Sequence, residues 1–496
     1  MTVKTPGQSG LLMKEDLIFE IGKEGRIGYS IPECKLEKAC PAKLFGEDIV
    51  RDGVDGLPEV SEVEVVRHFT RLSQWNFGVD TGLYPLGSCT MKYNPKINEV
   101  VARYLGFIKA HPDMPEELVQ GNLELIYELE RLLSEINGLP AVTLQPAAGA
   151  HGELTGMMLV RSYHEAKGKP RHKVLVPDTA HGTNPATSAL CGFDVVEVKS
   201  GPEGYLMAED VAALMDEDVA GLMMTNPNTV GIYERNIKEI AEVVHAKGGL
   251  LYCDGANMNA LLGVVRPGDL GVDVMHLNLH KTFSTPHGGG GPGCGPVLAI
   301  KELEPFMPKP RILKKEDGSY TIDCDRPQSI GQIRSAFGNF GVMIKAYAYL
   351  RELGSDHIRR ATELAVLNAN YIRVNLIERF NLPYETDSLH EVVINDKIQA
   401  EKNVTTMDIA KRLIDLGFHP PTVYFPLVVK AAMMIEPTET ASMEELDQFI
   451  AAMIKIADEA EETPEAFHDY PELTSWSRLD EVTAARKPVL RWVPEK

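Results

Sequence analysis

Short apolar runs alternate with longer amphipathic stretches over the middle of the chain, from about residue 100 to about residue 340. The apolar runs have the length of β-strands, and the stretches between them repeat apolar residues at helical spacing, as over 236–246. Strands that alternate with helices indicate βαβ units and a mainly parallel sheet, so this part of the chain has an α/β pattern. We predict strands at 141–145, 173–177, 194–198, 221–225, 250–254 and 274–279.

The segments on either side of this alternation have other patterns. The first 95 residues are rich in turn formers and show little periodicity, apart from helical spacing over 63–74. A long helical stretch runs from Gly341 to about Arg379, and apolar strands are predicted after it at 391–394 and around 425–429. We therefore predict an extended N-terminal arm (1–95), a large domain (96–340) and a smaller C-terminal α/β domain with a proline-punctuated tail (341–496).

Charge and composition exclude several classes of protein. The chain of 496 residues carries a net charge of −21, so no basic surplus exists to neutralise nucleic-acid phosphates or to bind an anionic membrane. Its 7 cysteines are scattered without a CxxC pair or a Cys/His cluster, which argues against a disulfide framework and a metal site. The N-terminus has no apolar signal core, and no apolar run reaches the roughly 18 residues of a membrane helix. A soluble, cytoplasmic protein is expected.

The stretch 276–287 is the strongest candidate for chemistry. It places Lys281 just past an apolar run and between histidines, and the glycines 288–291 follow. A lysine that is dry enough to be neutral is a nucleophile, and in this position it can hold pyridoxal phosphate as a Schiff base. Asn278 and His280 are then candidate groups around the cofactor. Taken alone, the segment fits a surface lysine at the end of a strand equally well.

Two further demands of pyridoxal phosphate have candidates at other strand ends. Asp254 ends the strand 250–254, and a carboxylate beside the pyridine nitrogen keeps it protonated so that the ring accepts electrons. Ala256 is small enough to lie against the ring, and His181 follows the strand 173–177 and offers a flat partner for the opposite face. The alternatives are a strand-end cap for Asp254 and a loop histidine with local hydrogen bonds for His181.

A cradle for the phosphate is matched by small residues in the turn 145–153, between a strand and a helix. Backbone N–H groups at Gly149 and Ala150 can approach an anion at the helix N-terminus. A glycine-rich turn is weak support by itself, because tight turns need glycine anyway. The order of these features on successive strands favours one cofactor site over a series of coincidences.

Two other interpretations of the glycine-rich segment fail on their neighbours. Residues 288–293 match GxGxxG, but Pro292 and the strand-like 296–300 stand where a dinucleotide fold needs the start of a helix. Residues 287–290 resemble the oxyanion loop of esterases, yet the chain contains no GxSxG nucleophile. We expect these glycines to let backbone pass close to the cofactor or to a neighbouring subunit.

Six longer motifs span nearly the whole sequence: YPLGSCTMKYNP (84–95), AHGTNPA (180–186), TNPNTVG (225–231), DGAN (254–257), HKTFS (280–284) and RLDEVTAARKPVLRW (478–492). On these segments the chain resembles the P-proteins of the glycine cleavage system, the glycine dehydrogenases (decarboxylating). Within that family it resembles the C-terminal-type subunit, subunit 2, of enzymes that are split over two chains.

The resemblance implies a fold-type I, aspartate-aminotransferase-like architecture with pyridoxal 5'-phosphate as cofactor. It implies decarboxylation of glycine with release of CO2 and transfer of the aminomethyl group to the lipoyl group of H-protein. The homologous subunit 1 would be the partner, in a heterotetramer of two copies each. In this chemistry glycine displaces Lys281, Asp254 keeps the ring charged, and His280 or His181 serves as proton donor or orienting group.

Two other functions are weighed against this one. A cysteine desulfurase or another fold-type I lyase or decarboxylase shares the His–Lys and Asp-x-Ala features. A desulfurase needs a mobile cysteine beyond the lysine, however, and Cys324 is a poor candidate. A non-catalytic scaffold subunit would have lost Lys281 or Asp254, and both are present.

The roles of several polar residues stay open. Ser88, Thr90 and Lys92 in the arm motif either line the substrate or partner side of the cleft or form a structural turn. An unreactive buried thiol is favoured over a nucleophile for Cys89. Arg334 is a candidate group for recognising the carboxylate of glycine.

Overall fold

A mainly parallel sheet is the central element of the fold. The computed structural model describes residues 15–29, 31–51, 56–288 and 291–493. The strands of the sheet are β1 (Ala141–Thr143), β2 (Lys173–Pro177), β3 (Asp194–Val198), β4 (Val219–Thr225), β5 (Leu250–Gly255), β6 (Val274–Leu277) and β7 (Val297–Ala299), in the order β1-β7-β6-β5-β4-β2-β3. The strands from β6 to β3 pair in parallel, and β7 is antiparallel to β6 and β1. The predicted α/β sheet is confirmed, with each predicted strand in place to within two residues.

Both faces of the sheet are buried along its central strands β4, β5 and β6, which explains why these read as nearly continuous apolar runs, whereas the edge strand β3 is largely exposed. Successive side chains of a strand point to opposite faces. On one face Leu222, Leu251 and Met275 belong to the largest core cluster. On the other face their neighbours Met223, Tyr252 and Val274 belong to a second cluster.

Helices cover the two faces of the sheet and continue into the C-terminal part. The helices predicted over 63–74 and 236–246 are confirmed. Capping boxes at Ser61, Thr405 and Ser442 define the starts of three helices, because each side chain accepts the backbone N–H of the acidic residue three positions on. The α-helices are α1 (Ile18–Ile21), α2 (Pro41–Phe45), α3 (Glu62–Trp75), α4 (Lys96–Ala102), α5 (Leu105–Ile108), α6 (Gln120–Asn137), α7 (Gly149–Ala166), α8 (Thr183–Leu190), α9 (Ala208–Leu214), α10 (Ile237–Ala246), α11 (Phe340–Leu376), α12 (Thr406–Asp415), α13 (Met443–Glu462) and α14 (Glu481–Arg486). Short 3-10 turns lie at Glu116–Leu118, Pro267–Leu270, Lys301–Phe306, Gln399–Lys402 and Pro464–His468.

Antiparallel strands form two smaller sheets. A hairpin pairs β8 (Arg311–Lys314) with β9 (Tyr320–Asp323), and a three-stranded sheet has the order β10 (Val392–Asn395), β12 (Ala432–Ile435) and β11 (Thr422–Val423). The strand predicted at 391–394 is confirmed as β10. The strand predicted around 425–429 is wrong, because Pro426 has no N–H to offer a ladder and the chain turns there, with the N–H of Val429 bonded to the carbonyl of Pro426 at 3.1 Å.

The long predicted helix is present as α11 but is not straight. Gly354 has φ 62° and ψ −178°, far from helical values, and divides α11 into two helical segments. Glycine adopts this conformation without the steric penalty that a β-carbon would bring.

The arm is tied to the smaller sheet immediately before a sharp turn of the chain. Leu86 forms a β-bridge with Ile435, and the N–H of Gly87 bonds to the carbonyl of Met434 at 3.2 Å. Ser88 and Thr90 follow with φ of 66° and 50°, so the chain turns sharply at this point. The division of the chain into an arm, a large domain and a small domain stays a prediction. Over the described ranges, no helix combines the length and the apolar character needed to cross a bilayer.

Candidate functional site

A cavity of about 430 Å³ lies beside the carboxyl ends of β4, β5 and β6, between the large sheet and the smaller one. This is the edge at which open α/β sheets bind ligands. The eight residues predicted to take part in catalysis or cofactor binding all line it: Gly149, Ala150, His181, Asp254, Ala256, Asn278, His280 and Lys281. The structure therefore brings together residues that are up to 132 positions apart (281 − 149).

Lys281 lies in a tight turn that directly follows β6. Its N–H bonds to the carbonyl of Asn278 at 3.1 Å, and its own carbonyl accepts the N–H of Ser284 at 3.1 Å. No hydrogen bond or ion pair engages its side-chain amine among the described residues, although that amine lies close enough to stabilise the charges of Asp254 and Glu391. A half-buried amine without a partner is free to react with a carbonyl group.

Asp254 is held as a carboxylate although it is 4% exposed. Burial raises its pKa, but the neighbouring His276 ring, the donors below and the amine of Lys281 outweigh burial, so the pKa of Asp254 lies under its usual value. The N–H of Ala256 and the side-chain amide of Asn184 each bond to it at 3.0 Å. Nε2 of His276 lies 3.2 Å from its Oδ1, and Tyr252 holds the other ring nitrogen of that histidine at 2.8 Å.

His181 is fixed from one side of its ring. Its Nδ1 lies 2.8 Å from the hydroxyl of Thr183, and that hydroxyl donates to Glu153 at 2.7 Å. The ring of Phe425 lies at a centroid distance of 5.4 Å and is tilted by 58°. Burial lowers the pKa of His181, so the imidazole is neutral near pH 7.

His280 is a second neutral imidazole. Burial, together with the charge of Lys281, lowers its pKa to about 3. Its ring meets that of His287 edge-on at 5.0 Å. An imidazole with this pKa carries no extra proton to donate near pH 7 and is a weak base, so His280 is better suited to orient a ligand through hydrogen bonds than to act as an acid or a base.

The predicted phosphate cradle lies at the N-terminus of a helix, where neighbouring residues pack closely. Helix α7 begins at Gly149, and a β-carbon there would lie 2.6 Å from Oδ1 of Asn278, so this glycine permits a close approach. Gly289 and Gly290, whose backbone was expected to pass near the cofactor or a neighbouring subunit, lie outside the described residues.

Unpaired polar atoms around the cavity fit pyridoxal phosphate. Oδ1 of Asn278, Nδ1 of His280 and the hydroxyl of Thr225 are buried without a hydrogen-bond partner. Buried polar groups are normally satisfied, so such atoms indicate a missing ligand with polar substituents. A free amine, a buried carboxylate across the cavity and a helix N-terminus complete the set that this cofactor needs.

Several polar residues around the cavity were not predicted. His276 and Asn184 contact Asp254, Glu153 supports Thr183, and His390 and Glu391 line the cavity from the smaller sheet. A histidine inside the apolar run 274–279 and a glutamate at the start of the strand 391–394 were available signals. The residues that they contact could not be predicted, because those contacts depend on the register of the strands.

The structure shows the positions of four residues whose roles the sequence left open. Ser88 and Cys89 line the cavity, whereas the amine of Lys92 is 2.6 Å from Glu439 and 3.0 Å from the hydroxyl of Tyr349, in a buried structural pair. Burial raises the pKa of Cys89, which keeps it a thiol. Arg334 is not among the residues that line the cavity within the described part of the chain.

Comparison with known proteins places these features in context. A family model described as the glycine cleavage system P-protein matches residues 30–317, and one described as the C-terminal domain of glycine dehydrogenase matches residues 361–472. The chain is 56% identical to a probable glycine dehydrogenase (decarboxylating) subunit 2 of Bacillus licheniformis, over 96% of this chain and 99% of that protein. It is 55% identical to a protein of the same description from Caldanaerobacter subterraneus, over 97% and 100% of the two chains.

Solved structures share the fold. A crystal structure of a glycine decarboxylase (P-protein) of the glycine cleavage system, in inhibitor-bound form, matches with a TM-score of 0.70 at 19% identity, over 84% of this chain and 94% of that one. The cysteine desulfurase CsdA of Escherichia coli matches with a TM-score of 0.59 at 14% identity, over 76% and 95%. An aspartate aminotransferase of Thermus thermophilus matches with a TM-score of 0.56 at 15% identity, over 76% and 99%. These likenesses confirm the fold-type I architecture that the sequence implied.

Proposed function

The chain belongs to the glycine cleavage system P-protein family, and we propose that it is subunit 2 of a glycine dehydrogenase (decarboxylating). It uses pyridoxal phosphate to decarboxylate glycine, releases CO2 and transfers the aminomethyl group to the lipoyl group of H-protein. The observation that carries this proposal is the unpaired amine of Lys281 in a cavity that it shares with the buried carboxylate of Asp254.

The residues of the cavity have distinct roles in this proposal. Lys281 would hold the cofactor through its amine, and Asp254 would pair with the pyridine nitrogen. Gly149 and Ala150 would hold the phosphate at the N-terminus of α7. When bound, pyridoxal phosphate supplies the electron sink that accepts the electrons released with CO2.

The remaining side chains orient the reactants and control protons. His181 would pack against the cofactor ring, Ala256 would leave room for the ring, and the unpaired Oδ1 of Asn278 would accept a hydrogen bond from a cofactor substituent. His280 lines the same cavity as Lys281 and would orient the reactants through hydrogen bonds, since burial keeps its imidazole neutral.

A second subunit is part of the proposal. The relatives are described as subunit 2, which implies a subunit 1, and we propose a heterotetramer of two copies each that serves lipoylated H-protein. The arm supports this proposal because it exposes large apolar side chains, which is typical of a surface that a partner covers. Examples are Ile27, Ile31, Leu36, Phe45 and Ile49. A cytoplasmic location is supported by the 7 cysteines, which are all unpaired.

The alternatives are less well supported by the geometry. Cys324, the thiol that a desulfurase would need, does not line the cavity in the described part of the chain. A scaffold subunit has no use for a free amine and a buried carboxylate that face the same cavity.

The test is an exchange assay on the complete system. The chain is mixed with subunit 1, H-protein and pyridoxal phosphate, and the incorporation of labelled bicarbonate into glycine is measured. We expect exchange with the wild-type chain and none with Lys281→Ala. No exchange in the complete wild-type mixture, or exchange that persists in the variant, would contradict the proposal.

A further inference from the structure

A chain of hydrogen bonds links a buried carboxyl group to the histidine that faces the cavity. Oε1 of Glu153 accepts the hydroxyl of Thr183 at 2.7 Å, and the same oxygen of Thr183 lies 2.8 Å from Nδ1 of His181. The other carboxyl oxygen of Glu153 accepts the hydroxyl of Thr187 at 3.2 Å. The Nε2 atom of His181 makes no hydrogen bond among the described residues and lies on a ring that lines the cavity.

The hydrogen bonds that link Glu153, Thr183 and His181 can point in either direction, because a hydroxyl donates one hydrogen bond and can also accept one. When Glu153 is ionised, Thr183 donates to it, and Nδ1 of His181 must then carry hydrogen to donate to Thr183. When Glu153 is protonated, it donates to Thr183, and Thr183 donates to Nδ1. The backbone N–H of Thr183 lies 3.3 Å from the same Nδ1 and favours this second arrangement.

We propose that Glu153 is a positioning residue that sets, through Thr183, which ring nitrogen of His181 carries hydrogen. An ionised Glu153 leaves Nε2 as an acceptor toward the cavity. A protonated Glu153 makes Nε2 a donor. The proton on one buried carboxyl group thus decides what the histidine offers to the ligand.

The surroundings of Glu153 place this switch near neutral pH. Glu153 is 4% exposed, and a carboxyl oxygen of it, one of Asp254 and a ring nitrogen of His276 lie within 4.8 Å of one another. Burial raises the pKa of Glu153 to about 7, and the charge of Asp254 acts in the same direction. The charged and titratable groups around it are Asp254 and Tyr252 on β5, His276 on β6, His181 before α8, and Lys281, which acts on Asp254 and His181 from beyond β6.

Four of these neighbours, Asp254, Tyr252, His276 and His181, keep constant charge near pH 7. Asp254 stays ionised because its pKa is lowered, and the phenol of Tyr252 stays neutral because burial raises its pKa well above the usual value. Burial lowers the pKa of His276 and of His181, so both rings stay neutral. Among the five groups Glu153, Asp254, Tyr252, His276 and His181, Glu153 is therefore the one whose pKa lies near 7.

The consequence rests on the proposed function, in which His181 lies against the cofactor ring. The ring substituents and the incoming substrate meet a donor at lower pH and an acceptor at higher pH. Such a change alters the pH dependence of kcat/KM without altering the residues that contact the cofactor.

The test reads hydrogen positions directly. Histidines labelled with nitrogen-15 in the ring are introduced into the complete chain, and solid-state NMR is recorded at several pH values between about 6 and 8. A His181→Gln sample identifies the signals of His181 by their loss. We expect the protonated-nitrogen signal of His181 to move from Nδ1 to Nε2 as the pH falls. Protonation of the ring itself would instead place hydrogen on both nitrogens.

Three variants separate a relay from a structural contact. Glu153→Gln keeps the shape and donates permanently, so Nε2 should carry hydrogen at every pH. Thr183→Val removes the relay hydroxyl and should abolish the pH response, and Thr183→Ser should restore it. Thr187→Val is the matched control on the same helix, because it removes a bond to Glu153 but leaves the path to His181 intact. It should retain the switch.

The outcomes are decisive. A wild-type tautomer that does not change with pH, or a switch that persists in Thr183→Val, would overturn the proposal. The measurement needs no turnover. Failure of the proposed function would appear in the bicarbonate exchange assay, and failure of the relay would appear in the NMR signals.

Discussion

His390 shows how strongly one residue of the cavity depends on burial. It is 2% exposed, and neither of its ring nitrogens has a hydrogen-bond partner. Burial, with the charge of Lys281 acting in the same direction, lowers its pKa to about 3. The folded state therefore holds a neutral imidazole where the unfolded chain binds a proton below its ordinary pKa of about 6.5.

This difference predicts a loss of stability as the pH falls. Because the folded pKa is depressed, the contribution of His390 is present above about pH 6.5 and is lost as the pH falls toward 3. Between pH 7 and pH 5 the wild-type chain should lose about 2 kcal/mol more unfolding free energy than His390→Gln. Urea unfolding at the two pH values measures this difference. The same change at the exposed His111 is the control, and equal pH trends in wild type and His390→Gln would contradict the assignment.

At the scale of elements, small residues let α7 lie close to the sheet. A β-carbon on Gly156 would lie 2.4 Å from a ring atom of Tyr252 and 3.1 Å from Val274. One turn earlier, a β-carbon on Gly152 would lie 3.0 Å from the carbonyl of Gly295. The helix that starts at the phosphate cradle is therefore positioned by glycines on its sheet-facing side.

Gly156→Ala should destabilise the protein although alanine favours helices. The added methyl group forces Tyr252 or the helix to move, and overpacking of this kind costs about 1–3 kcal/mol. Gly121→Ala in α6 is the matched control, because nothing lies within 4 Å of its added β-carbon. That change should stabilise by about 0.5–1 kcal/mol. Thermal unfolding of both variants is the measurement, and equal shifts of the two midpoints would show that the close packing has no energetic weight.

The elements could be predicted where apolar patterns were long and regular. The alternation from 141 to 279 gave each parallel strand, because burial on both faces leaves a continuous apolar run. The run around 425–429 is equally apolar, yet the chain turns at Pro426. The strand of the smaller sheet is formed by Ala432–Ile435 instead. The local apolar pattern cannot show which of the two segments becomes a strand, because that depends on which of them pairs with β10.

The residues of the site were likewise predictable only in part. Lys281, Asp254 and His181 could be predicted because the chemistry demands those residue types at strand ends. The residues that hold these three side chains in place could not be predicted. His276 faces Asp254 because β5 and β6 pair in a register that places the two residues side by side, and Glu153 reaches Thr183 because α7 packs next to α8. Register and packing are set by the whole fold.

At the scale of the whole molecule, one carboxyl group joins three parts of the chain. Glu436 accepts the N–H of Thr90 at 3.1 Å and its hydroxyl at 2.8 Å, from the arm. From the segment that follows β5 it accepts the amides of Asn257 at 2.9 Å and Asn259 at 3.2 Å. Glu436 itself follows β12 of the smaller sheet and is fully buried. The cavity lies between the parts that this residue connects.

Glu436→Gln should therefore loosen the molecule around its site. An amide offers one acceptor oxygen in place of two, so donors from the arm or from the large domain are left buried without a partner, at a cost of about 1–3 kcal/mol. We expect a lower urea midpoint and faster amide hydrogen exchange at Gly87 and Thr90. Glu401→Gln, at an exposed position of the same domain, should change neither quantity. If Glu436→Gln exchanged its arm amides at the wild-type rate, the arm would be held by its β-bridge to Ile435 rather than by this carboxyl group, because the bridge does not involve the side chain that was changed.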